Sequence, residues 1–289
     1  MSLGLRFVKL PRPVAHRLLR PLRYLNLMRA LEWRLLERWL QQRPARRVLD
    51  VGCGHGLYSL DLARRGATLI GCDLDRNALS DAQRSSHGLG LGGRAGFVVA
   101  DGTELPLPEG EFDLVVCNCV LEHIADDGAA LAAMTRVLRP GGMLYLTVDS
   151  ARPDLALGFL QDLPEGIKTR VLRPQVLAAP DVLDGLQARL GELYFVRQRY
   201  RQAELEARLA SLQLTILDSR FYLTGAGAAQ YEAFHALRGL DPARGLGRLL
   251  YMASSLLLYP LAAWSDNRQA RRGHGLAIVA CKEGNTGEE

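Results

Sequence analysis

Between Arg47 and Asp149 five short apolar runs, Val48 to Val51, Thr68 to Cys72, Phe97 to Ala100, Leu114 to Cys119 and Met143 to Val148, alternate with helix-like stretches at Tyr58 to Arg65, Arg76 to Ser86 and Asp127 to Leu138. Continuous apolar runs are the mark of strands buried on both faces, and their alternation with helices predicts a parallel sheet covered by helices. Two further strands are expected at Leu212 to Asp218 and Leu276 to Lys282. Upstream, from Pro21 to about Gln42, the spacing of Leu18, Leu22, Leu25, Met28, Leu31, Leu35 and Trp39 predicts an amphipathic helix, with Arg20, Arg23, Arg29, Arg34 and Arg38 on much of its other face.

These elements divide the chain into a basic helical cap (1–45), an α/β core (46–149), a helical connection or substrate cap (150–211), the final strands (212–282) and a polar tail (283–289). An insertion at about 219–275 separates the last two strands. It contains Leu249 to Trp264, sixteen residues without a charge, between Arg244 and Arg248 on one side and Arg268, Arg271 and Arg272 on the other. That run is short for a membrane span and includes Pro260. Three readings stand: a buried cap helix, an interfacial anchor with basic flanks, or an apolar wall for a lipid-like substrate.

Composition fits a folded soluble enzyme, with 48% hydrophobic and 23% charged residues in 289, and excludes a disordered or fibrous chain. The net charge of +5 conceals an asymmetry. Residues 1–47 carry twelve Arg or Lys against Glu32 and Glu37, a local excess of +10, which leaves −5 for the remainder. Such an arm attracts an anionic partner, either nucleic acid or an acidic membrane surface. Five cysteines without paired or zinc-like spacing point to a reducing, cytoplasmic setting and to no metal site. Pro11, Arg12, Pro13, His16 and Arg17 interrupt any apolar leader near the start, so no secretory signal is expected.

The strongest chemical signal is the strand Val48 to Val51 turning through Gly52, Gly54 and Gly56 into a helix. Glycines let the backbone turn tightly and approach a ligand closely, and free amides at a helix start favour anionic groups. A nicotinamide-binding loop would have its third glycine where this chain has Leu57. The second strand ends at Asp73, placed to accept hydrogen bonds from two ribose hydroxyls, whereas Asp75 is suited to cap the following helix. Then come Val99-Ala100-Asp101-Gly102-Thr103, the run Asn118-Cys119-Val120-Leu121-Glu122-His123 and the turn Pro140-Gly141-Gly142.

In this order the motifs resemble those of class I S-adenosylmethionine-dependent methyltransferases, particularly the quinone-biosynthesis O-methyltransferases. The resemblance implies a doubly wound, mostly parallel, seven-stranded Rossmann-like sheet with helical cap insertions. It also implies S-adenosylmethionine as cofactor and S-adenosylhomocysteine as product. By resemblance Asp50, Gly52, Gly54 and Gly56 hold the methionine part, Asp73 and Leu74 the ribose side, Asp101 and Gly102 the adenine, and Asn118 lies where the cofactor's amino group is met.

Methyl transfer from a sulfonium mainly requires alignment of donor and acceptor, so a base is optional. For a hydroxyl acceptor His123 is the candidate base; its competing role is to orient the pocket. The run after Asn118 lacks the paired prolines and aromatic of nucleic-acid base methyltransferases, which disfavours a nucleic-acid substrate. The implied acceptor is a small, hydrophobic or lipid-like molecule methylated at oxygen, with peripheral contact to an anionic membrane. The alternatives are an N- or C-methyltransferase and a cofactor-binding protein that transfers nothing.

Overall fold

A computed structural model describes residues 26–151, 162–177, 196–237, 240, 245–266 and 270–284. The chain divides into two compact units, one of Leu35–Arg152, Val196–Phe221 and Gly275–Glu289, the other of Met1–Arg34, Pro153–Phe195 and Tyr222–His274. The basic arm before Asn26, the beginning of the predicted first helix, much of 150–211, Arg244, Arg268 and the end of the tail lie outside the described residues.

The first unit is built on a seven-stranded sheet: β1 (Arg47–Val51), β2 (Thr68–Asp73), β3 (Ala95–Val99), β4 (Phe112–Asn118), β5 (Leu138–Asp149), β6 (Leu214–Tyr222) and β7 (Gly275–Lys282). Their order is β3-β2-β1-β4-β5-β7-β6. β1 pairs in parallel with β2 and β4, β2 with β3 and β4 with β5, while β7 runs antiparallel to β5. The strand order reverses between β1 and β4, which is where an open α/β sheet forms a crevice at its carboxyl ends. Val48, Leu49, Leu114, Val115 and Val116 are buried, as expected of central strands covered on both faces.

The helices of this unit begin where local chemistry allows. Gly56, at φ +74°, opens α2 (Leu57–Arg64) after α1 (Leu27–Gln42). Asp75 caps α3 (Arg76–Gly88), accepting from the amides of Asn77 and Ala78 at 2.8 and 3.2 Å. Asp126 caps α4 (Asp127–Val137) through the amide of Ala129. At the other end of α4, Lys282 Nζ donates to the carbonyls of Thr135 and Leu138 at 2.9 and 2.8 Å, placing a cation where the helix leaves acceptors unpaired.

Two expectations need correction. Leu138 is not the end of α4 but the first residue of β5, and the turn expected at Pro140-Gly141-Gly142 is an irregularity inside that strand, with Gly141 at φ +75°. The register of β4 on β5 shifts between Phe112 and Leu114. Gly142 fills the tight spot: a Cβ there would come within 2.9 Å of the Phe112 carbonyl. Secondly, β6 runs to Tyr222, so the segment between the last strands is 223–274, not 219–275.

Asp127 knits the far end of the sheet unit together. Arg208, on α7 (Gln202–Ser211), grips its carboxylate with two bonds of 2.7 and 2.6 Å, and the Tyr200 hydroxyl and Gln198 amide add 2.8 and 2.5 Å bonds. Burial opposes the charge on Asp127, but these donors, Arg208 foremost, hold its carboxyl below the usual carboxylate range.

In the second unit, α5 (Glu165–Val171) and the short α6 (Pro174–Leu177) pack Leu172 and Val176 against Ala236. Ala236 ends α8 (Gly225–Ala236), and α9 (Gly245–Ser265) follows. Leu223 sits at φ +53°, a conformation costly for a branched side chain. It is held by Asp266, which accepts from the amides of Leu223 and Thr224 and from the Thr224 hydroxyl. Burial pushes the Asp266 carboxyl up to about 6 against the pull of those donors. Glu32, one of the two acids in the basic N-terminal stretch, is fully buried and accepts from Tyr222 Oη at 2.8 Å and Arg29 Nη1 at 3.0 Å.

Asp127→Asn leaves Arg208 partly buried without its counter-charge, and the expected loss is about 2 kcal/mol in chemical denaturation at pH 7. Because the native carboxyl titrates below its unfolded value of about 4, its contribution is present above that pH and lost as pH falls below it. The difference between wild type and variant should therefore shrink in acid. A constant difference from pH 7 down to about pH 3 would remove Asp127 from this role.

Candidate functional site

The carboxyl ends of β1, β2 and β4 gather most of the residues singled out in the sequence. The backbone leaving β1 is tied to β2 by the amides of Gly52 and Cys53, which both donate to the Cys72 carbonyl at 2.8 and 3.0 Å. Gly54 N–H then donates to Asp73 Oδ2 at 2.8 Å, and Asp75 N–H to Asp73 Oδ1 at 2.9 Å. Asp73 thus fixes the glycine turn and its own strand end, and each oxygen keeps acceptor capacity for a further donor. Asp75 is occupied with capping, as the sequence predicted.

The three glycines do different work. A Cβ on Gly52 would lie 2.3 Å from Val120 Cγ2, and one on Gly56 would lie 3.0 Å from Ala82 Cβ. A Cβ on Gly54 meets nothing within 4 Å, although its φ is +50°. Gly52 and Gly56 are therefore required by packing, and Gly54 by conformation and by the space above the turn.

Asp50 is 2% exposed and accepts from Ser59 Oγ, on α2, at 2.5 Å. Ser59 carried no sequence signal, because its place in the site depends on α2 folding back over β1. The charge on Asp50 reaches the neighbouring thiols. Burial, and next Asp50, push Cys72 up to about 12 and raise Cys53 further. Cys117 is raised by burial and by Glu122. These thiols stay protonated near neutrality, unsuited to nucleophilic attack. Among the described residues no three His, Cys, Asp or Glu side chains are grouped to hold a metal ion.

Asn118 ends β4 and is 7% exposed. Its Oδ1 accepts from Thr147 Oγ1 at 3.3 Å, while Nδ2 has no acceptor among the described residues. A buried donor left unpaired is costly, so the site awaits an acceptor there. Cys119, next in the chain, stands at φ +50°, held by its amide bonds to the carbonyl and hydroxyl of Thr147 at 2.9 and 3.1 Å. Leu74, following Asp73, is 66% exposed, an apolar face without protein cover.

Asp101 is exposed and takes the amide and hydroxyl of Thr103 on Oδ1, both at 2.9 Å, the geometry of a polar turn. Gly102 is packed tightly: a Cβ there would lie 3.3 Å from Val51 Cγ1 and Ile124 Cδ1. His123 is half-buried in a 3₁₀ turn (Leu121–His123), its carbonyl accepting from Arg197 Nε at 3.1 Å and that of Glu122 from the Arg197 amide at 2.9 Å. His55, inside the glycine turn, is exposed and faces Asp81 Oδ2 at 3.3 Å. His235 and His274 belong to the other unit, where His274 Nε2 lies 2.8 Å from the buried Glu232.

Comparison with known proteins agrees with this geometry. Residues 49–146 match the family model of a methyltransferase domain. A ubiquinone biosynthesis O-methyltransferase of Hahella chejuensis is 37% identical over 146 residues, 47% of this chain and 60% of its own. One from Pseudomonas entomophila is 31% identical over 163 residues, 52% of this chain and 70% of its own. The chain thus spans less than two thirds of the first of these relatives.

Among solved structures, the geranyl diphosphate C-methyltransferase of Streptomyces coelicolor A3(2), with Mg2+, geranyl diphosphate and S-adenosylhomocysteine, shares the fold at TM-score 0.55 and 14% identity. That match covers 86% of this chain and 77% of that one. The [4+2]-cyclase SpnF shares it at TM-score 0.52 and 20% identity, covering 88% and 82%. The protein belongs to the class I S-adenosylmethionine-dependent methyltransferases, and S-adenosylmethionine is its cofactor.

The two unlike glycines provide a test. Gly54→Ala, facing open space, should retain the fold at a cost of about 1 kcal/mol for its left-handed backbone and weaken S-adenosylhomocysteine binding in calorimetry by at least about tenfold. Gly52→Ala, which drives a methyl into Val120, should instead lower the melting temperature markedly. Equal effects of the two on stability would contradict the distinction.

Proposed function

We propose that this protein moves the methyl group of S-adenosylmethionine to an oxygen of a small hydrophobic, lipid-like acceptor, in the cytoplasm and in peripheral contact with an anionic membrane. The similarity to ubiquinone biosynthesis O-methyltransferases carries the reading. The apolar segment between β6 and β7 supports the hydrophobic acceptor and the membrane contact.

In this reading the residues at the strand ends bind and orient. Asp73 offers its remaining lone pairs to ribose hydroxyls, Leu74 covers an apolar face of the base, and the Asp101–Gly102 turn meets the adenine edge. Asn118 donates from its unpaired Nδ2, and Asp50, steadied by Ser59, supplies negative charge for the methionine ammonium. The bound cofactor supplies an activated methyl on a sulfonium centre. The protein's own task is then to align the acceptor oxygen with that methyl and to exclude water. His123 takes the acceptor hydroxyl proton, its backbone fixed by Arg197.

The reading is tested by incubating the protein with methyl-labelled cofactor and phenols bearing isoprenoid tails. Labelled ethers extractable into organic solvent are expected. Tight cofactor binding with no transfer across such a panel would instead favour a non-catalytic binding protein, and label on carbon or nitrogen would move the reaction away from oxygen. His123→Gln should lower kcat by about a hundredfold while leaving cofactor affinity unchanged. Asp73→Asn should do the reverse, weakening cofactor binding by about tenfold or more.

A further inference from the structure

Helix α9 is built inside out. Its buried positions are small or polar, Gly247, Tyr251, Ser255 and Ala262. They are fastened to their own unit by hydrogen bonds: Gln230 Nε2, from α8, donates to the Tyr251 carbonyl and to the hydroxyls of Ser254 and Ser255 at 3.2, 2.8 and 2.9 Å. The Tyr251 hydroxyl donates to Asn26 Oδ1, and Arg34 Nη1 to the Ala263 carbonyl at 2.7 Å. The outward face is the apolar one. Leu246, Leu249, Leu250, Leu257, Leu261 and Trp264 fall at helical spacing along one side, with Leu257 80% and Trp264 78% exposed. A helix folded for water presents the opposite pattern.

Charge identifies what covers this face. Between Pro242 and Cys281 the chain has a single acid, Asp266, which is buried, against Arg244, Arg248, Arg268, Arg271 and Arg272. Arg271 and Arg272 are exposed just beyond the helix end that carries Trp264. A leucine stripe with a terminal tryptophan and basic flanks matches an anionic lipid surface, whose headgroups pair with arginine while its acyl boundary takes the leucines. Although the helix has 21 residues and the hydropathy of a span, its inner face is occupied by Gln230, Asn26 and Arg34, which rules against lipid on all sides.

We propose that α9 docks the protein on anionic membranes by lying in the plane of the interface with the Leu246–Trp264 face inserted. This specifies the surface for the membrane contact of the proposed function and rests on that reading only for its purpose, the capture of a lipid-like acceptor. The experiment uses the full chain with vesicles of phosphatidylcholine alone or with phosphatidylglycerol. Wild type should co-sediment with the anionic vesicles, more weakly at high salt, and the emission of Trp264 should be quenched by brominated lipid, a signal lost in Trp264→Phe. Leu257→Glu combined with Leu261→Glu, both on an exposed face, should reduce vesicle binding by about tenfold or more while S-adenosylhomocysteine binding is unchanged.

Equal vesicle binding by variant and wild type, or none by wild type, overturns the proposal. So does conversion of a wild-type dimer to a variant monomer without any vesicle binding, which assigns the face to a second copy of the chain. Transfer of methyl to phenols bearing isoprenoid tails, presented in neutral detergent without vesicles, is measured in parallel: its absence would sink the enzymatic reading while the vesicle results stand by themselves.

Discussion

The approach of the backbone at Gly52 to Val120 is the constraint on which the cofactor site depends. With a side-chain carbon there the separation would be 2.3 Å, so only glycine lets β1 leave the sheet beneath the segment that follows β4. That approach brings the amides of Gly52 and Cys53 onto the Cys72 carbonyl and the amide of Gly54 onto Asp73. The turn, Asp73 and the start of α2 are thereby one hydrogen-bonded object. The strained Cys119 backbone belongs to the same object, since it closes the β4 side and leaves Asn118 Nδ2 unpaired.

Acids are used here in contrasting ways. Asp50 is sequestered beneath the turn with Ser59; burial first, and the field of Asp50 next, raise the pKa of Cys53 and Cys72, so these thiols remain chemically quiet. Asp127 spends its charge on Arg208 and ties α4 to α7. Asp266, in the other unit, supports the left-handed backbone of Leu223 where the chain leaves β6 for α8. Side-chain donors hold Asp50 and Asp127 in place and backbone amides hold Asp266; the donors win over burial at Asp127, whose pKa is lowered, and burial wins at Asp266, whose pKa is raised.

The fold is shared with a geranyl diphosphate C-methyltransferase and with a [4+2]-cyclase, and a fold by itself does not fix a reaction. In this chain one inserted segment lies between β6 and β7, and its helix α9, polar inside and apolar outside, distinguishes it from an ordinary cap. Buried Gln230 turned toward serine hydroxyls, with leucines turned to solvent, is the pattern of a helix whose outer face serves an interaction.

Much of this was legible in the sequence. The five core strands, the three helices between them and the order of Asp50, Gly52, Gly54, Asp73, Asp101 and Asn118 follow from local rules, because buried parallel strands are continuous apolar runs and turns need glycine. Asp75 as a cap was equally local. The residues that sequence missed, Ser59, Thr147, Arg208 and the buried Glu32, act through partners far along the chain, and no local pattern reports such partners. The apolar run at 249–264 was visible as composition, but that left three readings open. Which side of that helix faces the protein was decided only by the tertiary structure, because hydrogen bonds from Gln230, Asn26 and Arg34 select the inner face, and periodicity alone cannot say on which side they lie.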